Sequence, residues 1–170
     1  MKHHRIAVVL LTIVLCGFAY AQDAGIQTSF ISINDFVIPD DFDYESEIDC
    51  GYENLVKGKT ENIPEGWYLW LVLHPDESSG YWPQGASVKP HPRTKTWTRK
   101  VHVGTIGTDI GKMNELWAIL VDDEGNDFYI DYLNKGKVSG DYPEIELPKN
   151  SIEVDMIKLI KRDNSVYESK

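Results

Sequence analysis

Trp67 to His74 reads WYLWLVLH, eight residues without a polar face. Written as a strand, Trp67, Leu69, Leu71 and Leu73 point one way, while Tyr68, Trp70, Val72 and His74 point the other. Both sets are largely apolar, whereas a strand with one solvated face alternates apolar and polar residues. Two arrangements satisfy this pattern. Either the strand is central and covered on both sides, with Phe128–Leu133 as a helical cover, or Tyr68 and Trp70 form an exposed aromatic face. The run continues to Gln84 and Gly85, so residues 66–85 hold three of the chain's five tryptophans.

The rest of the chain is punctuated like a β protein. Phe30 to Ile33, Phe36 to Ile38, the alternating Ile48, Cys50 and Tyr52, and Leu55-Val56 read as early strands. ENIPEG is a turn in which Pro64 fixes the backbone and Gly66 frees it. Tyr81-Trp82 stands before Pro83, and Trp97 to Val103 alternates as a half-buried strand does. GTIGTDIGK reads as a loop, Leu116 to Val121 as a strand buried on both faces, and Ile152 to Ile160 as the closing strand. DDEGNDFYIDYLNKG fits either a helix, with Phe128 and Tyr132 four apart, or a strand, with Phe128, Ile130 and Tyr132 alternating. Asp123 or Asn126 at its start and Lys135-Gly136 at its end match helix caps, so a short helix near 124–134 is preferred. About seven short strands around one helix make a mainly β, antiparallel sandwich. One domain is expected, with an N-terminal strand and acidic segment over 22–47, a body over 48–162 and a tail over 163–170.

The order of VKGKTENIP, WYLWLVLHP, YWPQG, TWTRKVHVG, GKMNELWAILVDD and FYIDYL resembles an uncharacterised immunoglobulin-like domain of prokaryotic exported and surface proteins. Such domains carry, in sequence, a glycine ending one strand, an I-P turn, a tryptophan strand running to a proline, a Y-x-P-Q loop and a late V-D segment before a short helix. The likeness spans residues 48–160. It implies an immunoglobulin-like β-sandwich module, often adjoining other domains, and brings no catalytic residues with it.

The chain opens MKHHRIAVVLLTIVLCGFAYAQ. Lys2 and Arg5, an apolar run from Ile6 to Phe18, and Ala19-Tyr20-Ala21 before Gln22 have the layout of a secretory signal peptide over residues 1–21. Retention of the segment as a membrane anchor is the alternative, although the run is shorter than the roughly 18–20 residues a spanning helix needs. Cleavage lowers the basic residues from 17 to 15 against 27 acidic ones, and moves the formal charge from −10 to −12. That balance opposes nucleic acid and anionic lipid as partners. The mature chain keeps one cysteine, Cys50, read as a buried thiol, with an intermolecular disulfide as the alternative.

Candidate functional residues are few. Trp82 and Gln84, with Tyr81 beside them and Trp97 and Trp70 on neighbouring strands, are the aromatic and amide groups suited to a protein partner or to stacking on a sugar. Asp40, Asp41 and Asp43 open an acidic run that offers oxygens to calcium without matching an EF-hand, and Asp122, Asp123, Glu124 and Asp127 form a second such cluster. Solvated charge is the competing reading for both, and no other cofactor is expected. His74, Asp76, His91 and His102 lack zinc-site spacing. There is no G-x-S-x-G elbow, and Cys50 has no histidine beside it in sequence. The expectation is an exported, non-catalytic binding module that contacts a protein or envelope component through sandwich loops. A carbohydrate-binding module is the alternative, and an exported enzyme of unknown chemistry the third; ligand and oligomeric state stay open. Intact mass of the exported protein is expected to begin at Gln22, and a mass retaining residues 1–21 would mean an uncleaved anchor.

Overall fold

The computed structural model describes residues 25–167, so the export segment lies outside the described residues. Among them are β1 (Gln27–Ile33), β2 (Phe36–Val37), β3 (Glu47–Cys50), β4 (Glu53–Glu61), β5 (Tyr68–Pro75), β6 (Trp82–Pro83), β7 (Thr96–His102), β8 (Met113–Val121), α1 (Asp123–Ser139) and β9 (Ile152–Lys161). Two sheets form a β-sandwich, one ordered β2-β1-β4-β7 and the other β3-β9-β8-β5-β6. Two of these strands, β2 and β6, have only two residues each, and the longer ones number seven, close to the expected count, with β2 falling on the expected Phe36–Ile38 run.

The doubly apolar strand is β5, and both of its faces are covered. Leu69, Leu71 and Leu73 meet Leu116, Ala118 and Leu120 of β8 within the inter-sheet core, opposite Phe30, Val56 and Val101 of the other sheet. On the far face, Trp70 and Val72 join Ile119 and Val121 beneath Tyr129 of α1. The Trp70 and Tyr129 rings lie 4.8 Å apart, and the Trp70 indole N–H donates to Asn126 Oδ1 at 3.2 Å. Truncating a buried tryptophan of this kind costs about 3–5 kcal/mol. The helical cover is therefore what holds Trp70 away from water.

The helix departs from expectation in three details. Its N-cap is Asp122, one residue earlier, whose carboxylate accepts the Gly125 N–H at 2.9 Å. Its buried stripe runs through Asn126, Tyr129 and Tyr132, which leaves Phe128 45% exposed. And Gly136 does not end it. The helix continues to Ser139, and Gly140 takes the left-handed cap at φ 76°. Gly136 serves instead as a contact point, because a Cβ there would stand 2.2 Å from Cε1 of Tyr142.

The expected antiparallel pairing holds except between β3 and β9, which run parallel. The alternating stretch Ile48, Cys50, Tyr52 is not one strand, because the chain crosses between sheets at Gly51 and Tyr52. Fully buried Asn54 pins this crossing, since its amide accepts from Gly51 N–H at 3.1 Å and donates to Gly51 O at 2.9 Å. The three-glycine segment is a loop, as expected. It is tied down by the buried Lys161 ammonium, which donates to the carbonyls of Thr105 and Thr108 and lies 5.5 Å from the Tyr52 ring centre.

Each sheet contains a bulge, and one carboxylate joins the two. The β1 register shifts between Phe30 and Ser32, and the β8–β9 register shifts between Ala118 and Ile119. Asp155, beside the second shift, accepts the Phe30 N–H of the first at 2.9 Å, and its other oxygen accepts the Met156 N–H at 2.9 Å. Burial pushes the Asp155 carboxyl up to about 6, against the downward pull of these two donors and of the Tyr44 hydroxyl. A carboxyl whose folded pKa is raised stabilises the fold fully only below its unfolded value, and that contribution fades as pH rises through the folded value. The stability difference between the wild-type chain and Asp155→Asn is therefore expected to shrink by roughly 3 kcal/mol as pH rises from about 4 to about 6, and to stay level above. Urea unfolding of both proteins across that range measures it, and a difference that stayed constant with pH would refute the assignment.

Candidate functional site

The two open flanks of the sandwich are closed differently. On the β2–β3 flank, the acidic segment between those strands seals the gap, with Ile38 and Phe42 packed against the core. On the other flank, β6 is the edge of one sheet and β7 the edge of the other. The chain after β6 stays beside β5, since Gln84 N–H donates to Leu71 O at 2.8 Å and Val88 N–H to Leu69 O at 2.7 Å. No backbone ladder joins this margin to β7. Two side chains span it instead. Gln84 Oε1 accepts the His102 N–H at 2.8 Å, and Arg99 Nη2 donates to Ser87 O at 3.0 Å.

A cleft opens along this flank and continues past the glycine loop to Glu47 of β3 and Ile160 of β9, about 1340 Å³ in all. Its margin carries Trp82, Pro83 and Gln84 on one side and Thr98, Arg99 and Lys100 on the other. It reaches Tyr132 and Tyr142 at the end of α1, and Lys112 near the glycine loop. The Trp82 indole N–H donates to Tyr142 O at 2.9 Å, and the Tyr132 and Tyr142 rings lie 6.0 Å apart, edge to face. Burial first, then Tyr142 and Asp141, pushes the Tyr132 phenol up to about 12, so it stays protonated at neutral pH. Trp82, Tyr132 and Tyr142 thus form an aromatic wall at one end of the cleft.

The sequence candidates divide between this wall and the core. Trp82 and Gln84 are half-buried and line the cleft. Tyr81 is beside them but faces inward. It exchanges two backbone hydrogen bonds with Ile145, and its ring stacks 4.7 Å from His74. Burial, then the negative charges of Glu153 and Glu115, raise its phenol pKa. Trp70 and Trp97 are withdrawn as ligand contacts because both are buried. The Trp97 indole lies over Gly58, where a Cβ would stand 2.1 Å from Cζ2, and its N–H donates to Thr60 Oγ1 at 2.9 Å. Sequence reasoning passed over Tyr132, Tyr142 and Arg99; only the alternation of Trp97, Arg99 and Val101 along one strand hinted that Arg99 faces inward.

Several of the remaining candidates have structural partners. Asp40, Asp41 and Asp43 are exposed, and Asp43 accepts the Glu45 N–H within a turn. Asp122 caps the helix, and Asp123 accepts the Tyr68 hydroxyl at 2.9 Å. Among the described residues no three His, Cys, Asp or Glu side chains are grouped to hold a metal ion. His102 Nε2 lies 3.3 Å from Glu53, His91 turns back on its own loop, and His74 is held by Gly80 O. Cys50 is free and buried, and burial, ahead of the charges of Asp49 and Asp163, pushes its thiol up to about 12, far from a thiolate nucleophile at neutral pH.

Charge within the cleft is graded. Toward the glycine loop, Lys112 is paired with Glu77 at 2.8 Å, and the Asp109 pKa is lowered, chiefly by the Thr105 N–H. At the β7 end, Lys100 pairs with Glu53 at 2.6 Å, whereas Arg99 has no carboxylate partner among the described residues. Trp82→Phe is expected to remove more of the iodide-quenchable emission than Trp70→Phe or Trp97→Phe; equal losses from all three would contradict the burial just described. The chain matches no family model, and no curated protein and no solved structure was found similar to it.

Proposed function

We propose that this chain is an exported, non-catalytic binding module that holds a protein or envelope component in the cleft between the β6 margin and β7. The observation that carries this reading is the cleft itself, where half-buried Trp82 and Gln84 meet the Tyr132–Tyr142 wall. Partly exposed aromatic anchors are among the groups that dominate interface energies, and the Gln84 amide, held between Trp82 O and the His102 N–H, frames them. The titratable side chains around them serve caps, turns and ion pairs rather than converging on one point, which favours binding over acid–base chemistry. The likeness to immunoglobulin-like surface modules supports the same class of job. A sugar ligand is the second reading, because Trp82 and Tyr142 stand together at the cleft mouth.

The test is a titration of the full chain with soluble peptidoglycan fragments, neutral oligosaccharides and purified envelope proteins, followed by calorimetry. Trp82→Ala is expected to weaken a saturable interaction by about ten-fold or more while leaving the unfolding midpoint close to wild type. Loss confined to oligosaccharides would select the sugar reading. Binding that survives in both Trp82→Ala and Gln84→Ala would remove the cleft as the site.

A further inference from the structure

We propose that the β7 end of the cleft takes an extended acidic peptide, which adds to the open edge of β7 and seats a carboxylate on Arg99. The inference rests on the binding reading above and names its ligand chemistry.

The first observation is the edge. β7 pairs with β4 alone. Along an antiparallel strand, the N–H and C=O of alternate residues point to the same side. Val103 N–H donates to Tyr52 O and so belongs to the β4 side, whereas His102 N–H donates to Gln84 Oε1 and Thr96 O accepts from His91 N–H, both on the open side. Between these two occupied positions, the backbone groups of Thr98 and Lys100 face the cleft with no strand beside them. An added strand satisfies such groups, and its alternate side chains then confer specificity.

The second observation is Arg99. It follows the inward alternation of Trp97 and Val101, so its guanidinium stands at the mouth between the sheets, not out in solvent. One nitrogen, Nη2, is used on Ser87 O. Its Nε is buried without a hydrogen-bond partner, and burial lowers its pKa with no acidic group opposing that shift. Although the chain has 27 acids against 17 basic residues, its inward-facing guanidinium meets no carboxylate among the described residues. A guanidinium fork matches a carboxylate in two hydrogen bonds, and a cross-strand neighbour of opposite charge is favoured on a sheet face. In an added strand, the residue opposite Arg99 points its side chain to the same mouth. Peptide is preferred to an acidic glycan because the edge offers backbone donors and acceptors in strand register.

The full chain is titrated with three octapeptides that alternate valine with glutamate, glutamine or lysine, and the Thr98 and Lys100 amide resonances are followed by NMR. The glutamate peptide is expected to bind about ten-fold more tightly than the glutamine peptide and to shift both amides. The chain's overall negative charge works against that preference, so it must arise locally. Arg99→Gln is expected to abolish the preference and Arg99→Lys to keep part of it; should Arg99→Gln fail to fold, the lysine variant carries the comparison. Equal affinity for the glutamate and glutamine peptides would overturn the carboxylate seat, and if Trp82→Ala still weakened both, the cleft reading would survive it. Arg99-dependent binding of oligogalacturonate without amide shifts at Thr98 and Lys100 would overturn the peptide in favour of an acidic glycan. Absence of binding by every peptide would make Arg99 only a strut to Ser87 and end the proposal.

Discussion

A strand with large apolar side chains on both faces must be sheltered twice, and in this chain that requirement organises three layers. One face of β5 packs into the core between the sheets, and the other meets α1. The second contact decides what the aromatic residues can do. Trp70 has its ring beneath Tyr129 and its indole N–H on Asn126, so it belongs to the fold. With one face of the β5 sheet taken by the helix, Trp82 is left at a flank, where strands end and side chains must finish what backbone ladders do not.

The two flanks show contrasting solutions to that edge problem. Near β1 and β9, bulges bring Asp155 to the Phe30 N–H, so a buried carboxylate is satisfied by two backbone donors and a hydroxyl. A buried charge is tolerable when its hydrogen bonds are complete. On the β6–β7 flank the account does not close. Gln84 completes one bond of the edge, while Arg99 completes one and leaves Nε buried and unpartnered. An inward-pointing charge on an edge strand also discourages indiscriminate strand pairing. Covering Arg99 with a neutral strand would bury its charge unpaired, whereas the acidic strand proposed above would bring a counter-charge.

Much of this architecture was legible in the sequence, for a physical reason. Alternation has period two, so β7 and the doubly apolar β5 announced themselves, and cap-type residues favoured helix over strand across DDEGNDFYIDYLNKG although the actual caps are Asp122 and Gly140. What failed were statements that depend on partners distant in the chain. Phe128 and Tyr129 are adjacent and equally aromatic, and the sheet beneath the helix, not local pattern, chose Tyr129 for burial. Gly136 reads as a helix stop but serves the close approach of Tyr142. Trp97 was a candidate by residue type, yet Gly58 on β4 makes room for its indole in the core.

The candidate site was only half visible for the same reason. Trp82 and Gln84 stood out by residue type, whereas Tyr142, Tyr132 and Arg99 lie 60, 50 and 17 residues beyond Trp82 and become a site only when α1 and β7 fold back beside β6. Arg99 in particular is unremarkable in TWTRKVHV, where it looks like one more polar residue of a half-solvated strand. Its significance comes from orientation, because the alternation that buries Trp97 and Val101 forces Arg99 inward at the point where the sandwich stops being closed. A cation placed there by the core's own periodicity cannot swing to bulk water without abandoning Ser87. The buried Nε is closed to an incoming group, so the proposed carboxylate would have to meet the terminal guanidinium nitrogens, whose planar fork matches its geometry and charge.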